Sequence, residues 1–212
     1  MALKDKAQLY YVYDPMCSWC WGYNPTWTRL KSELSRLEIK LEYRLGGLAP
    51  DSSEIMPEEM QLFLKQTWHK IHALLGTQFN HDFWAQCQPR RSTYPACRAA
   101  LIARDEGLEQ QMLKGIQTAY YLKAENPSDL ETLTNVAKNI GIDSAHFVKQ
   151  MNCHQVNQRL LNEINSVQQL PINGLPSLVL HLNDELIPIA LDYHDWQTSY
   201  DAIAQLLLQP SR

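Results

Sequence analysis

The sequence predicts an α/β fold in which both ends of the chain contribute to one sheet and a large all-helical block is inserted between them. Three observations predict it. Short β-type runs lie only near the two ends, at residues 9–13, 39–45 and 177–190. From residue 54 to residue 168 apolar side chains recur at helical spacing, with no alternating or β-branched run between them. Finally, the tetrapeptide Cys17-Ser18-Trp19-Cys20 stands where the first β-type run gives way to a helical pattern.

The first run, residues 9–13, is aromatic and β-branched, the composition of a strand covered on both faces. Asp14-Pro15 ends it, because proline restricts its predecessor and lacks a donor for the ladder. Trp27, Leu30, Leu34 and Leu37 then form one stripe on a helix that begins near Cys17, with a kink expected at Pro25. Residues 39–45 alternate strictly, giving a second strand closed by Gly46-Gly47. Strand, helix, strand implies a parallel pair joined by a right-handed crossover.

In the helical block, Pro57 suits a first turn, and Met60, Phe63, Leu64, Trp68, Ile71, Leu74 and Leu75 predict a broad buried face. Further helices are predicted at 96–106, 108–123, 130–140, 145–151 and 156–167, separated by Gly107, Asn126-Pro127-Ser128 and Gly141. Residues 177–182 and 185–190 read as two strands joined at Asn183-Asp184, with Pro188 marking a sheet edge. Trp196, Tyr200, Ile203 and Leu207 share one face of a last helix. The predicted organisation is a sheet-bearing domain from 1–53 and 169–212, with a helical insertion domain at 54–168.

Composition narrows the function classes. A chain of 212 residues, 45% hydrophobic and 20% charged, is an ordinary globular protein, able to bury roughly 70% of its unfolded surface without disulfide staples. Its net charge of −4 and its single adjacent basic pair, Arg90-Arg91, argue against a nucleic-acid partner. No apolar run approaches the ~20 residues of a membrane span. The charged start, residues 1–6, followed by so short an apolar run, does not read as a signal peptide, so a cytoplasmic protein is expected. Five cysteines do not fit a secreted disulfide framework.

The cysteines carry the chemistry. On a helix, residues i and i+3 share a face, close enough to relax into a disulfide. Cys17 at the N-terminal end meets unpaired amides and the positive end of the helix dipole, which can bring a thiol from ~8.5 into the range of roughly 3.5–7.5. Cys20, one turn deeper, is placed to resolve a mixed disulfide. Zinc is the competing reading, but a lone C-x-x-C supplies two ligands of four. Nine residues separate Cys87 from Cys97, and Cys153-His154 and His69/His72 lack a finger or ribbon spacing. Two core cysteines spaced by chance is the other alternative. A second element is Gly174-Leu175-Pro176-Ser177 immediately before a strand, read either as an ordinary strand-start proline or as a deliberate cis turn.

Asp14-Pro15-Met16-Cys17-Ser18-Trp19-Cys20-Trp21-Gly22, the helical insertion and Gly174-Leu175-Pro176-Ser177 together resemble the DsbA-like thioredoxin-fold proteins, in particular the cytosolic FrnE-type branch. Pro25 is similar to the proline that thioredoxins carry five residues after the dithiol. The resemblance implies a thioredoxin-like fold, a proline facing the C-x-x-C helix, and a backbone beside it that pairs with extended substrates. Ser92-Thr93-Tyr94-Pro95-Ala96-Cys97-Arg98 is similar to a segment of the insertion that lies near the active site in this branch, which makes Cys97 an accessory candidate. The chain also departs from the pattern. Ser18-Trp19 is neither the Pro-His of strong oxidants nor the Gly-Pro of thioredoxin, and Leu175 is bulkier than the usual residue and is expected to narrow the groove. Kappa-class glutathione transferases and hydroxychromene carboxylate isomerases share the architecture but keep serine where Cys17 stands.

The function expected is a thiol–disulfide oxidoreductase of protein-disulfide reductase or isomerase type. Cys17 and Cys20 are the catalytic pair, Trp19, Leu175 and Pro176 bind substrate, and the insertion roofs the groove. No metal or organic cofactor is expected; the redox-active disulfide suffices, with glutathione as an optional co-substrate. The partner is a protein or small-molecule disulfide, with no nucleic acid and no membrane. The alternatives are a glutathione-dependent transferase or isomerase and a non-enzymatic redox-sensing binding module. Trp21 is expected in the core, Trp19 exposed, His69 and His72 on a solvated helix edge, and Cys87 and Cys153 as buried small hydrophobes.

Overall fold

The computed structural model describes residues 7–208; residues 1–6 and 209–212, the outermost parts of the predicted sheet-bearing domain, lie outside the described residues. β1 (Gln8–Tyr13), α1 (Ser18–Leu34) and β2 (Lys40–Leu45) form the expected βαβ unit. β3 (Ser177–Leu182) and β4 (Glu185–Ile189) follow the helical block, and α9 (Trp196–Leu208) closes the described chain. The sheet runs β2-β1-β3-β4: β1 is parallel to β2, with Leu9 opposite Leu41, and antiparallel to β3, with Leu9 opposite Leu180. The first strand is therefore central, which is why it is apolar on both faces. Asn183 and Asp184 both adopt positive φ, the two-residue turn predicted for the β3–β4 hairpin. Pro188 lies on the edge strand β4. α1 runs through Pro25 without a break, tyrosine and tryptophan side chains holding it to the sheet: Trp27 stacks on Tyr11 at 4.1 Å and its Nε1 donates to the Tyr43 hydroxyl at 3.1 Å.

Between β2 and β3 lie α2 (Glu58–Leu75), α3 (Phe83–Gln86), α4 (Tyr94–Asp105), α5 (Glu109–Leu122), α6 (Leu130–Asn139), α7 (Ser144–Met151) and α8 (His154–Val167). The one-turn α3 was not foreseen; four residues are too few for a periodic signal. α2 corrects another expectation. Only Trp68 and Ile71 of its predicted apolar face are buried, while Phe63 is 59% and Leu74 53% exposed. The helix meets α1 along one narrow stripe, made close by Gly22: a Cβ there would come within 2.9 Å of Ile71 Cγ2 and 3.0 Å of Leu75 Cδ1.

Two apolar clusters result. One joins the sheet to α1 and α9 and includes Leu9, Tyr11, Trp27 and Ile203, together with Cys17, Cys20 and Cys97. The other fills the helical block around Trp68, Phe83, Ile116, Tyr121 and Phe147, and Met16 belongs to it. The Met16–Cys17 peptide thus lies on the seam between them. A polar bolt crosses the same boundary. The Arg104 guanidinium on α4 donates to both carboxylate oxygens of Glu109 (2.9 and 2.6 Å), to both of Glu163 (2.7 and 3.1 Å) and to the carbonyl of Tyr43 on β2 (3.2 Å). Glu109 in turn accepts from the Tyr13 hydroxyl, and Glu163 from the Leu45 amide.

Packing this many phenols and thiols away from water fixes how stability depends on pH. Burial raises the pKa of Tyr11, Tyr13 and Tyr121, and pushes Tyr23 and Tyr43 up to about 12; it also raises Cys20 and Cys97. Between the unfolded and folded values, the unfolded chain has released a proton that the folded chain retains. Stability therefore falls as pH rises, by up to about 1.4 kcal/mol per pH unit for each such group. We expect the urea midpoint of the reduced protein to fall from about pH 8.5 and more steeply above about pH 10, where phenols join the thiols. The disulfide form, having no Cys20 proton to lose, should fall less in the lower range. A midpoint unchanged up to pH 11 would contradict this.

Candidate functional site

The dithiol is built by a tight turn. Cys17 N donates to the Asp14 carbonyl at 3.0 Å and Met16 N to the Asp14 carboxylate at 2.8 Å, so the chain reverses from β1 into α1 within three residues. Cys17 is the N-cap of α1 (φ −77°, ψ 116°), and its sulfur accepts from the Cys20 amide at 3.4 Å. A cysteine here takes the role usually given to serine or aspartate, with a helix-end amide directed at the sulfur. The Cys17 thiol also reaches the Leu175 carbonyl at 3.4 Å. Leu175–Pro176 is a cis peptide, the deliberate-turn alternative of the two open in the sequence. Cys17 is 6% exposed and Cys20 1%, so both thiols are buried and the corner is more enclosed than an exposed loop. Burial, then the neighbouring Cys17, raises the Cys20 pKa.

The helical block braces this turn from three sides. Trp68 Nε1 donates to Ser18 Oγ at 2.9 Å, the Tyr121 hydroxyl to the Met16 carbonyl at 2.7 Å, and the Thr93 hydroxyl to Asp14 Oδ2 at 2.6 Å. Leu48 N donates to the same Asp14 oxygen at 2.8 Å, and Cys97 Sγ lies 3.6 Å from it. Asp14 is fully buried, and burial raises its pKa above the ordinary carboxylate value, by more than the bonds from Leu48, Thr93, Met16 and Cys97 lower it. Sequence reasoning missed Asp14, Thr93, Trp68 and Tyr121. For Asp14 and Thr93 a signal existed: both lie in segments already quoted for their cysteines.

Trp19, Leu175 and Pro176 are brought together around one cavity of about 520 Å³, completed by Ile172, Pro188 and Tyr193 among others, with no charged side chain in its lining. Trp19 is half-buried, edge-on to Tyr193 at 5.3 Å, with the Lys70 ammonium 5.9 Å from its ring. The expected roof is corrected here. The cavity is open and lined by Trp19, by the segment around Leu175-Pro176 and by residues of β4 and the segment after it, none of them in the helical block, whose Lys70 meets the Trp19 ring. Leu175 lines the cavity, and its side chain also packs over Gly46, where a Cβ would come within 2.7 Å of Leu175 Cδ1.

Cys97 is fully buried, in the cluster that holds Cys17 and Cys20. Cys87 and Cys153 are half-exposed rather than buried, because they sit at helix termini: Cys87 follows α3 and donates to the Ala124 carbonyl (2.9 Å), and Cys153 precedes α8 and contacts Gln155 Oε1 (2.8 Å). Trp21 is half-buried at the rim of the helical cluster, stacked on Tyr121 at 5.6 Å with Nε1 donating to the Gln78 carbonyl. His69 and His72 are exposed, and His69 stacks on His81 at 4.4 Å. Among the described residues no three His, Cys, Asp or Glu side chains are grouped to hold a metal ion, and no helix is long and apolar enough to cross a membrane.

Comparison with known proteins agrees with this geometry. A candidate protein disulfide isomerase from Nitrosomonas europaea superposes with a TM-score of 0.80 at 25% identity, covering 98% of this chain and 100% of that one. The cytosolic disulfide reductase DsbM from Pseudomonas aeruginosa, which has also been solved with GSH, superposes at 0.74 with 21% identity, over 95% of this chain and 100% of that one. Among curated proteins, the ClpXP adapter protein SpxH of Bacillus subtilis is 24% identical over 97% of this chain and 68% of its own length, and its Halalkalibacterium halodurans counterpart is 20% identical over 86% and 61%. The chain thus spans about two thirds of the length of these relatives. The sequence profile described as DSBA-like thioredoxin domain matches residues 8–204, and the chain belongs to that family.

Proposed function

We propose that the chain is a thiol–disulfide oxidoreductase working in the reducing or isomerising direction in a cytoplasmic setting. One observation carries the reading: Cys17 caps α1 with the Cys20 amide on its sulfur, while Cys20 waits buried one turn below. The Cys17 thiolate attacks one sulfur of a substrate disulfide, forming a mixed disulfide and expelling the other sulfur as a thiolate. Cys20 then loses its proton and attacks Cys17 Sγ, forming the Cys17–Cys20 disulfide and releasing the second substrate thiol. Two electrons and two protons pass to the substrate. Two thiols of a reductant, glutathione or a dithiol protein, return them. Trp19, Leu175 and Pro176 bind the substrate flanks, and the helical insertion at 54–168 serves as the brace of the dithiol turn. A cytosol poised near −220 to −320 mV favours a mostly reduced pair, hence reductase or isomerase over oxidase. No metal or organic cofactor is needed for these steps.

The test is trapping. Cys20→Ser should accumulate a mixed disulfide between Cys17 and a disulfide-bonded peptide, stable until a thiol is added, whereas the wild type should release reduced peptide. If Cys20→Ser captures no peptide and the wild type reduces none, the reading is wrong. The curated relatives favour a second reading, an adapter whose dithiol senses redox state. Retained binding of the Cys17→Ser, Cys20→Ser double variant to ClpXP, with no disulfide turnover by the wild type, would carry that reading instead.

A further inference from the structure

The groove beside the dithiol holds a polar group to which the steps above give no part, the hydroxyl of Tyr193. Beyond the Trp19 indole, the polar side chains of the lining are Asn173, Ser177 and Tyr193. Asn173 is exposed, and the Ser177 hydroxyl is occupied by the Gly174 carbonyl at 2.6 Å. Tyr193 is half-buried, and among the described residues no hydrogen bond reaches its oxygen. Its ring and its backbone are both held. The ring stands edge-on to Trp19 and to Tyr23, each at 5.3 Å. The Tyr193 carbonyl accepts from Thr26 Oγ1 at 2.5 Å, which ties the segment after β4 to the helix that Cys17 caps. On either side, Asp192 Oδ1 accepts the His194 and Asp195 amides, and Ser199 Oγ donates to the Ala190 carbonyl at 2.7 Å. The hydroxyl therefore has a set place in the groove before a substrate arrives, and little ordering remains to be done on binding.

Burial first, then the neighbouring Cys20 and Cys17, raises the Tyr193 pKa, so the phenol sits within the field of both thiols and keeps its proton throughout the neutral range. It is a donor at every working pH. In the empty groove water can accept from it. A substrate that displaces this water must offer an acceptor in its place, or leave a donor unpaired against apolar walls. A polypeptide laid along Trp19 and Pro176 carries a carbonyl at every residue and can meet that demand. We propose that Tyr193 is a specificity-determining residue of the groove, its hydroxyl donating to a main-chain carbonyl beside the attacked disulfide of a polypeptide substrate and its ring setting Trp19 as the wall on which that flank lies. This rests on the oxidoreductase reading and narrows its substrates to disulfides carried on a peptide chain.

The test compares wild type and Tyr193→Phe in reducing two disulfides: a disulfide-bonded peptide with uncharged flanks, and 2-hydroxyethyl disulfide, whose arms are too short to run along the groove. The phenylalanine ring keeps both edge-on contacts, and no internal hydrogen bond is lost. The ratio of kcat/KM for the peptide to that for the small disulfide should fall about fivefold in Tyr193→Phe, with the loss in the peptide's KM. Thr26→Val, which removes the tie at the Tyr193 carbonyl and keeps the hydroxyl, should lower the same ratio by a smaller factor. An unchanged ratio in Tyr193→Phe would overturn the inference. So would an equal fall for both disulfides, the result expected of a residue that only holds the dithiol or the fold. Should Tyr193→Phe fold poorly, Thr26→Val is read in the same way. If the wild type reduces neither disulfide, the oxidoreductase reading falls first, visibly in the unmutated protein.

Discussion

Cys17→Ser should lower disulfide-reducing turnover by at least about a thousandfold while leaving the fold intact. The serine hydroxyl can keep the N-cap role, accepting from the residue 20 amide as the sulfur does, so the start of α1 has no reason to unravel. What disappears is the nucleophile, because a serine hydroxyl does not attack a disulfide sulfur as a cysteine sulfur does. Cys20 cannot substitute. It is 1% exposed, one turn below the groove, and its pKa is raised by burial and by Cys17. The comparison that checks this is insulin-disulfide reduction driven by dithiothreitol, alongside circular dichroism and thermal melting. Turnover within tenfold of wild type in Cys17→Ser would mean that the chemistry lies elsewhere.

The largest effect on stability is expected at Arg104. Its guanidinium satisfies Glu109 and Glu163 together, with side chains 12% and 9% exposed, and Arg104 reaches the Tyr43 carbonyl besides. Arg104→Ala leaves two poorly solvated carboxylates facing each other without a cation. We expect a loss of about 3–5 kcal/mol, a fall in melting temperature of roughly 10 °C for a chain of this size. Neutralising the two acids as well should recover most of it, so the triple variant Arg104→Met, Glu109→Gln, Glu163→Gln should melt well above Arg104→Ala. The pair separates a lost bolt from uncompensated charge. A loss below 1 kcal/mol in Arg104→Ala would show that the network contributes little beyond packing.

Local features of the fold were legible in the sequence because short-range physics sets them. The both-faced apolar run of β1, the Asn183-Asp184 turn and Pro188 on the edge strand each express a constraint that acts within a few residues. The dithiol was legible for the same reason: cap and C-x-x-C fall within four residues. What could not be read depends on long-range placement. That both ends share one sheet was readable from where the β-type runs lie; that β1 rather than β2 takes β3 as its neighbour, and that Trp68 bonds Ser18 and Thr93 bonds Asp14, depend on how distant segments dock. α2 shows the same limit in reverse. Its apolar residues predict a broad buried face, yet only the stripe against Gly22 finds a partner, and Phe63 and Leu74 remain at the surface. The groove was expected under the insertion, but Trp19 meets Tyr193, from a segment near the other end of the chain, and the cavity is lined by residues outside the insertion.

The most direct test of the central claim is to equilibrate the wild-type protein across a series of glutathione and dithiothreitol redox buffers, quench with an alkylating agent and map every cysteine by mass spectrometry. One reversible two-electron transition confined to Cys17 and Cys20 is expected, with Cys87, Cys97 and Cys153 remaining alkylated thiols at every poise, and a potential nearer −270 mV than −120 mV. Failure to form a Cys17–Cys20 disulfide at any poise would contradict it.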